Sequence, residues 1–389
     1  MKVFFISTEY PPCKSSSADY VSNLCQHFKW KSEIDPYIIT SVMPNIPFTQ
    51  VTDDGIYIFR IMEHWGIKEL NRVFKLIKKE NPEVIHIQYN DDNFSKKWML
   101  NILPFLIKKY RRNIKIISSL YNVEKEKKLN STGMDRLLAS SDIVIAKTDY
   151  DFDVLVSLFP HIQKKVKKIY VRPNIIYNPK ITVDRDEVRK RLKLQVNGTL
   201  ISYFGFINKD KGLEFLFRAL RQVLDRGHKT KLLIIGEPDY RNKDLNAKYN
   251  EDLKKLSYAL NIESEIFWAG YCSPRDISMC LLSSDMAILP FMDGEPCKHS
   301  SFWSVLDHGV PTISTFNPSK CLPEGIKNEE NVILIPRNKV DELALIITKY
   351  IQEPELLRQL GERGKKLVDD RYSWENVVNK LISIYKENG

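Results

Sequence analysis

A chain of 389 residues is long enough for two or three domains on a prior of roughly 150 residues each, and 43% hydrophobic residues can build a sizeable core, which excludes wholesale disorder. A net charge of +10 favours an anionic partner: a nucleotide, a membrane surface or a nucleic acid. The six cysteines show no C-x-x-C pair and no zinc spacing, so most read as small buried residues in a reducing compartment.

The opening run, residues 1–6, is too short an apolar stretch for a signal peptide. No window approaches the roughly 20 apolar residues of a transmembrane helix. The expectation is a soluble, cytoplasmic protein, with peripheral attachment to the inner face of a membrane as its nearest approach to lipid. Strands and helices alternate throughout, which predicts α/β structure with parallel sheets covered by helices on both faces. In the first half the predicted elements are a strand over 3–7, a Pro-Pro loop over 9–17 and a helix over 18–28. Strands over 37–40 and 56–61, a helix over 67–79 and a strand over 84–88 follow. A helix over 94–110 is expected to kink or break at Pro104. Strands over 114–119, 143–146 and 169–171 close this half. Pro173, Pro179 and the charged run Asp184-Arg185-Asp186-Glu187 mark a linker over 173–197. The pattern then repeats: strand 200–205, helix 212–225, strand 231–236, helix 250–259, strand 266–268, helix 275–282 and strand 286–289. Two or three C-terminal helices end the chain. Two doubly wound, Rossmann-like halves facing across a cleft are the physical reading.

The stretch from Pro290 to Thr312 is the most informative. It follows the apolar strand 286–289 with a polar loop, then a helix of about two turns starting near Ser300 and ending at Gly309. The helix N-terminus therefore lies at the carboxyl end of a strand, where ligands bind in open α/β sheets. The hydroxyls of Ser300 and Ser301, the amides of Phe302 and Trp303, and nearby Lys298 suit a phosphate or diphosphate.

Several stretches then point to one family. Phe204-Gly205-Phe206-Ile207-Asn208-Lys209-Asp210-Lys211-Gly212 resembles the second domain of GT-B glycosyltransferases, specifically the retaining glycosyltransferase family 4 (glycosyl transferases group 1). Leu233-Ile234-Ile235-Gly236-Glu237, Phe267-Trp268-Ala269-Gly270-Tyr271 followed by Asp285 and Pro290-Phe291, and His308-Gly309-Val310-Pro311 recur in family order. Tyr372-Ser373-Trp374-Glu375 looks like the start of the last helix, which crosses back onto the N-terminal domain. Tyr10-Pro11-Pro12, Ala18-Asp19-Tyr20-Val21 and His86-Ile87-Gln88-Tyr89 fit in the first half. The resemblance covers nearly the whole chain. It implies an acceptor domain over 1–175 joined by a crossing helix at about 373–389, and a nucleotide-sugar donor domain over 185–372.

The implied activity is retaining, metal-independent transfer of a hexosyl group from a nucleoside-diphosphate sugar to a polysaccharide or lipid-linked glycan acceptor, with no cofactor. Lys211 matches the family's diphosphate lysine, and Lys211 and His86 are the catalytic candidates. Gly205, Gly236, Glu237, Tyr271, Lys298, His299, Ser300, Ser301, Phe302 and Ser304 join Lys211 as donor-site candidates. Ser16, Ser17, Asp19 and Tyr121 are the acceptor-side candidates. Five family positions differ. An expected arginine is Phe206, the paired glutamates fall at Pro296 and Ser304, a loop glycine is Ser16, and a histidine is Tyr121, flanked by Asn122. Asp293-Gly294, Lys298-His299 and Ser300-Ser301-Phe302 match a subgroup that lacks the paired glutamates.

Each candidate has an ordinary reading. Lys211 can be a solvated helix-start lysine, Ser300 and Ser301 plain N-caps, Lys298 and His299 an exposed basic pair, and Glu237 a loop carboxylate. His86 can be a satisfied core histidine, Asp19 a partner of the helix dipole, and His308 a packed residue at a helix end. Lys96-Lys97, Lys108-Lys109 with Arg111-Arg112, Lys125 with Lys127-Lys128, and Lys164-Lys165 with Lys167-Lys168 are either solvated helix faces or a basic face toward anionic lipid. No motif resembles a nucleic-acid reader. The rival readings are a non-catalytic GT-B protein that binds a nucleotide sugar or a partner enzyme, and a GT-B nucleotide-sugar epimerase.

Overall fold

The computed structural model describes residues 1–90, 99–121, 123, 133–181, 183–191, 198–239 and 242–387. The predicted helical turn 94–98, Asn122, the basic residues at 96, 97, 125, 127 and 128, and the linker residues 182 and 192–197 lie outside these. The chain divides into two compact units, Met1–Tyr170 with Ser373–Gly389, and Val171–Tyr372.

The first unit is built on an eight-stranded sheet: β1 (Lys2–Ile6), β2 (Asp35–Ser41), β3 (Thr49–Val51), β4 (Tyr57–Met62), β5 (Val84–Asn90), β6 (Lys115–Tyr121), β7 (Ile143–Ala146) and β8 (Val166–Lys168). Their spatial order is β3-β4-β2-β1-β5-β6-β7-β8. Every pairing is parallel except β3 with β4, at an exposed edge. Side chains alternate across a strand. Phe4 and Ile6 therefore enter the core under the helices Ile67–Glu80 and Met99–Tyr110, while Val3 and Phe5 enter the core under Ser16–Lys31 and Trp374–Lys386. Val377, Val378 and Leu381 of that last helix are buried beside Leu24 and Phe28. Each such side chain contributes roughly 1.5–3 kcal/mol relative to exposure.

The second unit holds six parallel strands: β9 (Thr199–Phe204), β10 (Thr230–Ile235), β11 (Ile266–Gly270), β12 (Met286–Leu289), β13 (Thr312–Phe316) and β14 (Ile333–Pro336). Their order is β11-β10-β9-β12-β13-β14. That is third, second, first, fourth, fifth, sixth, the Rossmann order. The parallel strands of the first unit follow the same scheme. The reversal points lie between β1 and β5 in one unit and between β9 and β12 in the other. The α/β, doubly wound expectation holds in both.

Element boundaries differ from expectation in places. The helix predicted over 250–259 spans Lys243–Ala259, because Asn246 and Tyr249 bury a further turn. The helix Met99–Tyr110 runs through Pro104. The strand expected over 169–171 is instead β8, Val166–Lys168, and only the Ile169 amide still reaches the Ala146 carbonyl, at 3.0 Å. Helices Met134–Ser140, Asp149–Leu158 and Arg185–Arg191 and strands β3 and β14 were not expected. They are short, so their periodicity is weak. The described part of the expected linker packs within the second unit. Arg185 and Arg189 both pair with Asp285, at 3.3 and 3.0 Å.

Candidate functional site

At the second unit's reversal point, the loops leaving β9 and β12 meet. Gly205 follows β9, and a Cβ built on it would lie 3.6 Å from the Ser301 hydroxyl, so the turn and the start of helix Ser300–Asp307 are neighbours. Gly236 follows β10 with φ +151°, and a Cβ there would sit 2.0 Å from the Gly205 carbonyl oxygen, so only glycine fits. Glu237 is half-buried and its carbonyl accepts the Ile207 amide at 2.8 Å. Tyr271, just past β11, is 57% exposed. Gly205, Gly236, Glu237 and Tyr271 thus lie along the carboxyl ends of three adjacent strands.

The tight turn Lys209–Lys211 starts at Asn208, whose side-chain oxygen accepts the Asp210 amide at 3.1 Å. The Asp210 carbonyl accepts the Met292 amide at 2.9 Å, which ties this turn to the loop after β12. Lys211 Nζ lies 3.0 Å from His299 Nδ1 and 5.0 Å from the centre of the Phe291 ring. On its other side, His299 Nε2 lies 2.9 Å from Asp293 Oδ2. Burial and the adjacent Lys211 charge hold the His299 imidazole below its ordinary range. Burial pushes Asp293 upward, but His299, the Glu295 amide and Lys211 together hold its carboxyl well below the carboxylate range. Lys298 and Lys320 both pair with Glu295, at 3.3 and 2.9 Å, so the Lys298 charge is partly neutralised locally.

Two donor-site expectations are corrected. Ser304 has no exposed surface, and its hydroxyl accepts the Ile175 amide at 3.2 Å. It faces the interior of the unit, so a ribose cannot reach it. Phe302 is also fully buried, and its amide donates to the His299 carbonyl at 3.1 Å rather than standing free. Ser300 and Ser301 are half-buried at the helix start. His308 Nδ1 donates to the Ser304 carbonyl at 2.7 Å and its Nε2 lies 2.9 Å from the Ser278 hydroxyl, a packed helix-end residue whose pKa burial lowers to about 4. The side chain of Phe206, where the resemblance led to the expectation of an arginine, is half-buried.

In the first unit, His86 is corrected from a catalytic candidate to a core residue. It has no exposed surface. Its Nδ1 lies 2.6 Å from the Tyr385 hydroxyl and its Nε2 2.7 Å from the Ser119 hydroxyl. Burial, seconded by the Lys147 charge, holds the ring well below its ordinary pKa. Tyr121 donates to Gln88 Oε1 at 2.8 Å, and burial pushes its phenol well above its ordinary value. Ser16 is exposed and Ser17 half-buried. Ser15 caps the helix, accepting the Ala18 amide at 3.0 Å, and both Ser15 and Ser17 donate to Glu9 Oε2. Asp19, one turn in, is pushed up to about 6 by burial.

Phe291, Asp293, Glu295 and Lys320 on the donor side, and Glu9, Gln88 and Lys147 in the first unit, were not named as site residues from the sequence, although Phe291, Asp293 and Gln88 lie in the quoted family motifs. Lys147 is 2% exposed, and its ammonium lies 2.9 Å from the Tyr20 hydroxyl and over the Tyr121 ring. Its position just after the apolar strand 143–146 was the one available signal.

Residues 184–367 match the family model described as glycosyl transferases group 1. An uncharacterised glycosyltransferase of Methanocaldococcus jannaschii is 22% identical over 99% of this chain and 98% of its own length. The N-acetyl-alpha-D-glucosaminyl L-malate synthase of Bacillus anthracis is 21% identical over 90% of this chain and 86% of its own. Among solved structures, sucrose-phosphate synthase from Thermosynechococcus elongatus gives a TM-score of 0.76 at 15% identity, covering 99% of this chain and 98% of that one. Anabaena HepE in complex with UDP-glucose gives 0.74 at 14% identity, covering 99% of both. These likenesses place the chain in the GT-B fold.

Proposed function

We propose, from the premise of a GT-B fold with a glycosyl transferases group 1 match over residues 184–367, that this protein is a retaining glycosyltransferase of the family-4 type. It moves a hexosyl group from a nucleoside-diphosphate sugar to a polysaccharide or lipid-linked glycan acceptor, without a metal ion. The observation that carries this reading is the convergence, at one topological reversal point, of the Gly205 turn, Lys211 and the start of helix Ser300–Asp307. A diphosphate leaving group gains negative charge in the transition state. An ammonium and backbone amides fixed in advance bind that state better than the ground state, which is what accelerates the step. Glu237 and Tyr271 lie where a nucleoside would extend along the strand ends. The acceptor is assigned to the first unit, at the carboxyl ends of β1 and β5, with Ser16, Ser17, Asp19 and Tyr121 as its contacts.

The test is a thermal-shift panel of UDP-, GDP-, ADP- and dTDP-linked sugars on wild type and Lys211→Ala. A bound donor raises stability by about 2.7 kcal/mol at a hundredfold excess over its dissociation constant. One donor shifting wild type clearly more than the variant, followed by transfer in the presence of EDTA, is the expected result. No shift with any donor overturns the reading. A donor that binds but is never transferred to glycan or lipid-linked acceptors leaves the non-catalytic binding protein, a reading favoured by the interior positions of His86 and Ser304.

A further inference from the structure

We infer that Asp293 and His299 form a positioning relay for Lys211, fixing its ammonium before a diphosphate arrives; the inference rests on the donor-site reading above. The protons in this chain of contacts can be assigned from chemistry. An ammonium has no lone pair, so His299 Nδ1, 3.0 Å from Lys211 Nζ, must be the acceptor. The ring proton then sits on Nε2 and is donated to Asp293 Oδ2 at 2.9 Å. The carboxylate selects the tautomer that leaves Nδ1 open for the lysine. Asp293 is itself held, because its other oxygen accepts the Glu295 amide at 3.0 Å. The ring is packed face to face on Phe291, with centroids 3.9 Å apart, and Phe291 is fully buried. The centre of the Phe291 ring also lies 5.0 Å from Lys211 Nζ. A lysine has a long flexible stem, and its ordering normally opposes binding. Here the lysine is held from one side by an imidazole and from another by an aromatic face. The groups that face His299 are Lys211, Asp293 and Lys298, and the Lys298 ammonium is turned to Glu295. The basic pair Lys298-His299 therefore divides its tasks: the lysine pairs with Glu295, and the histidine orients Lys211.

The relay is tested with a double-mutant cycle on donor binding. The probe is whichever of UDP-glucose, GDP-mannose, ADP-glucose and dTDP-glucose binds wild type most tightly by calorimetry at pH 7.5. His299→Phe keeps a stacking ring but removes the acceptor. It should weaken binding about fivefold in wild type and less than about twofold in the Lys211→Ala background, since residues acting through one another are not additive. His299→Gln, whose amide can accept from Lys211 and donate to Asp293, should recover part of the loss. In an NMR titration, Lys211→Ala should raise the His299 pKa by removing the adjacent charge. Equal losses in both backgrounds, or an unmoved His299 titration, overturn the relay while leaving the donor site standing. Failure of all four sugars to bind wild type overturns the donor reading and the relay with it. If His299→Phe does not fold, Asp293→Asn takes its place in the cycle.

Discussion

Replacing Lys211 by alanine removes the ammonium that lies beside the stacked His299 and Phe291 rings. If the leaving group's charge develops there, kcat/KM for the preferred donor falls by about 10²-fold, the usual loss for one preorganised electrostatic contact. Steady-state kinetics checks this, and a loss under about threefold would place the phosphate contact elsewhere. His86 predicts the opposite kind of phenotype. His86→Ala strands the Tyr385 and Ser119 hydroxyls in the core and leaves a cavity, for a cost of about 2–4 kcal/mol in urea denaturation. The folded-state pKa of His86 is lowered, so the unfolded chain binds the extra proton on acidification. The contribution of His86 is complete above its ordinary pKa and is lost as pH falls below it. The cost of His86→Ala should therefore be larger at pH 7.5 than at pH 5.5.

Helix Ser300–Asp307 has two ends with different tasks. Its first turn borders Gly205, while Ser304 and Asp307 on its inner face hold the backbone of residues 175–177. Asp307 accepts the Tyr177 amide at 2.6 Å and is pushed up to about 6, mainly by burial. A carboxyl whose folded pKa is raised binds protons more readily when folded, so the fold loses stability as pH rises through roughly 4 to 6. Asp307→Asn keeps an acceptor for the Tyr177 amide without the buried charge. It should stabilise the protein at pH 7.5 by on the order of 1–3 kcal/mol and confer little at pH 4. Thermal denaturation at the two values decides it, and equal effects at both would mean that the buried charge is not the source.

At the scale of the molecule, the net charge of +10 has a local expression in the first unit. Tyr110, 65% exposed, closes the helix Met99–Tyr110 beside exposed Lys109 and Arg112. Not every basic residue there is available. Lys108 pairs with Asp142 at 2.6 Å, Lys168 pairs with Asp149 at 2.7 Å, and Lys165 bonds the Ala139 and Ser141 carbonyls. No helix among the described residues is long and apolar enough to cross a membrane. We predict co-sedimentation with vesicles containing phosphatidylglycerol, reduced by Lys109→Glu with Arg112→Glu and weakened by salt, because surface charge is screened over about 8 Å at physiological ionic strength. Equal sedimentation of wild type and the double variant would argue against a lipid-facing role for this helix.

The sequence by itself determined the doubly wound architecture. Continuous apolar runs such as 143–146 and 286–289 have one stable home, a parallel strand covered on both faces, and Gly205 and Gly236 marked the turns after two of the strands. It also determined that Gly205, Lys211 and Ser300 would reach one place, because strand order in an α/β sheet sends those loops to the same edge. Tertiary structure alone decided which polar side chains face inward. Ser304 and Ser301 lie on the same short helix and look alike in the chain, yet one holds the Ile175 amide in the interior and the other borders the Gly205 turn. His86 read as a catalytic candidate and His299 as a donor-site candidate, and neither reading showed that one closes a buried network with Tyr385, 299 residues away, while the other meets a lysine 88 residues away. Hydrogen bonds over such separations leave no periodic trace along the chain, so only the folded structure assigns them.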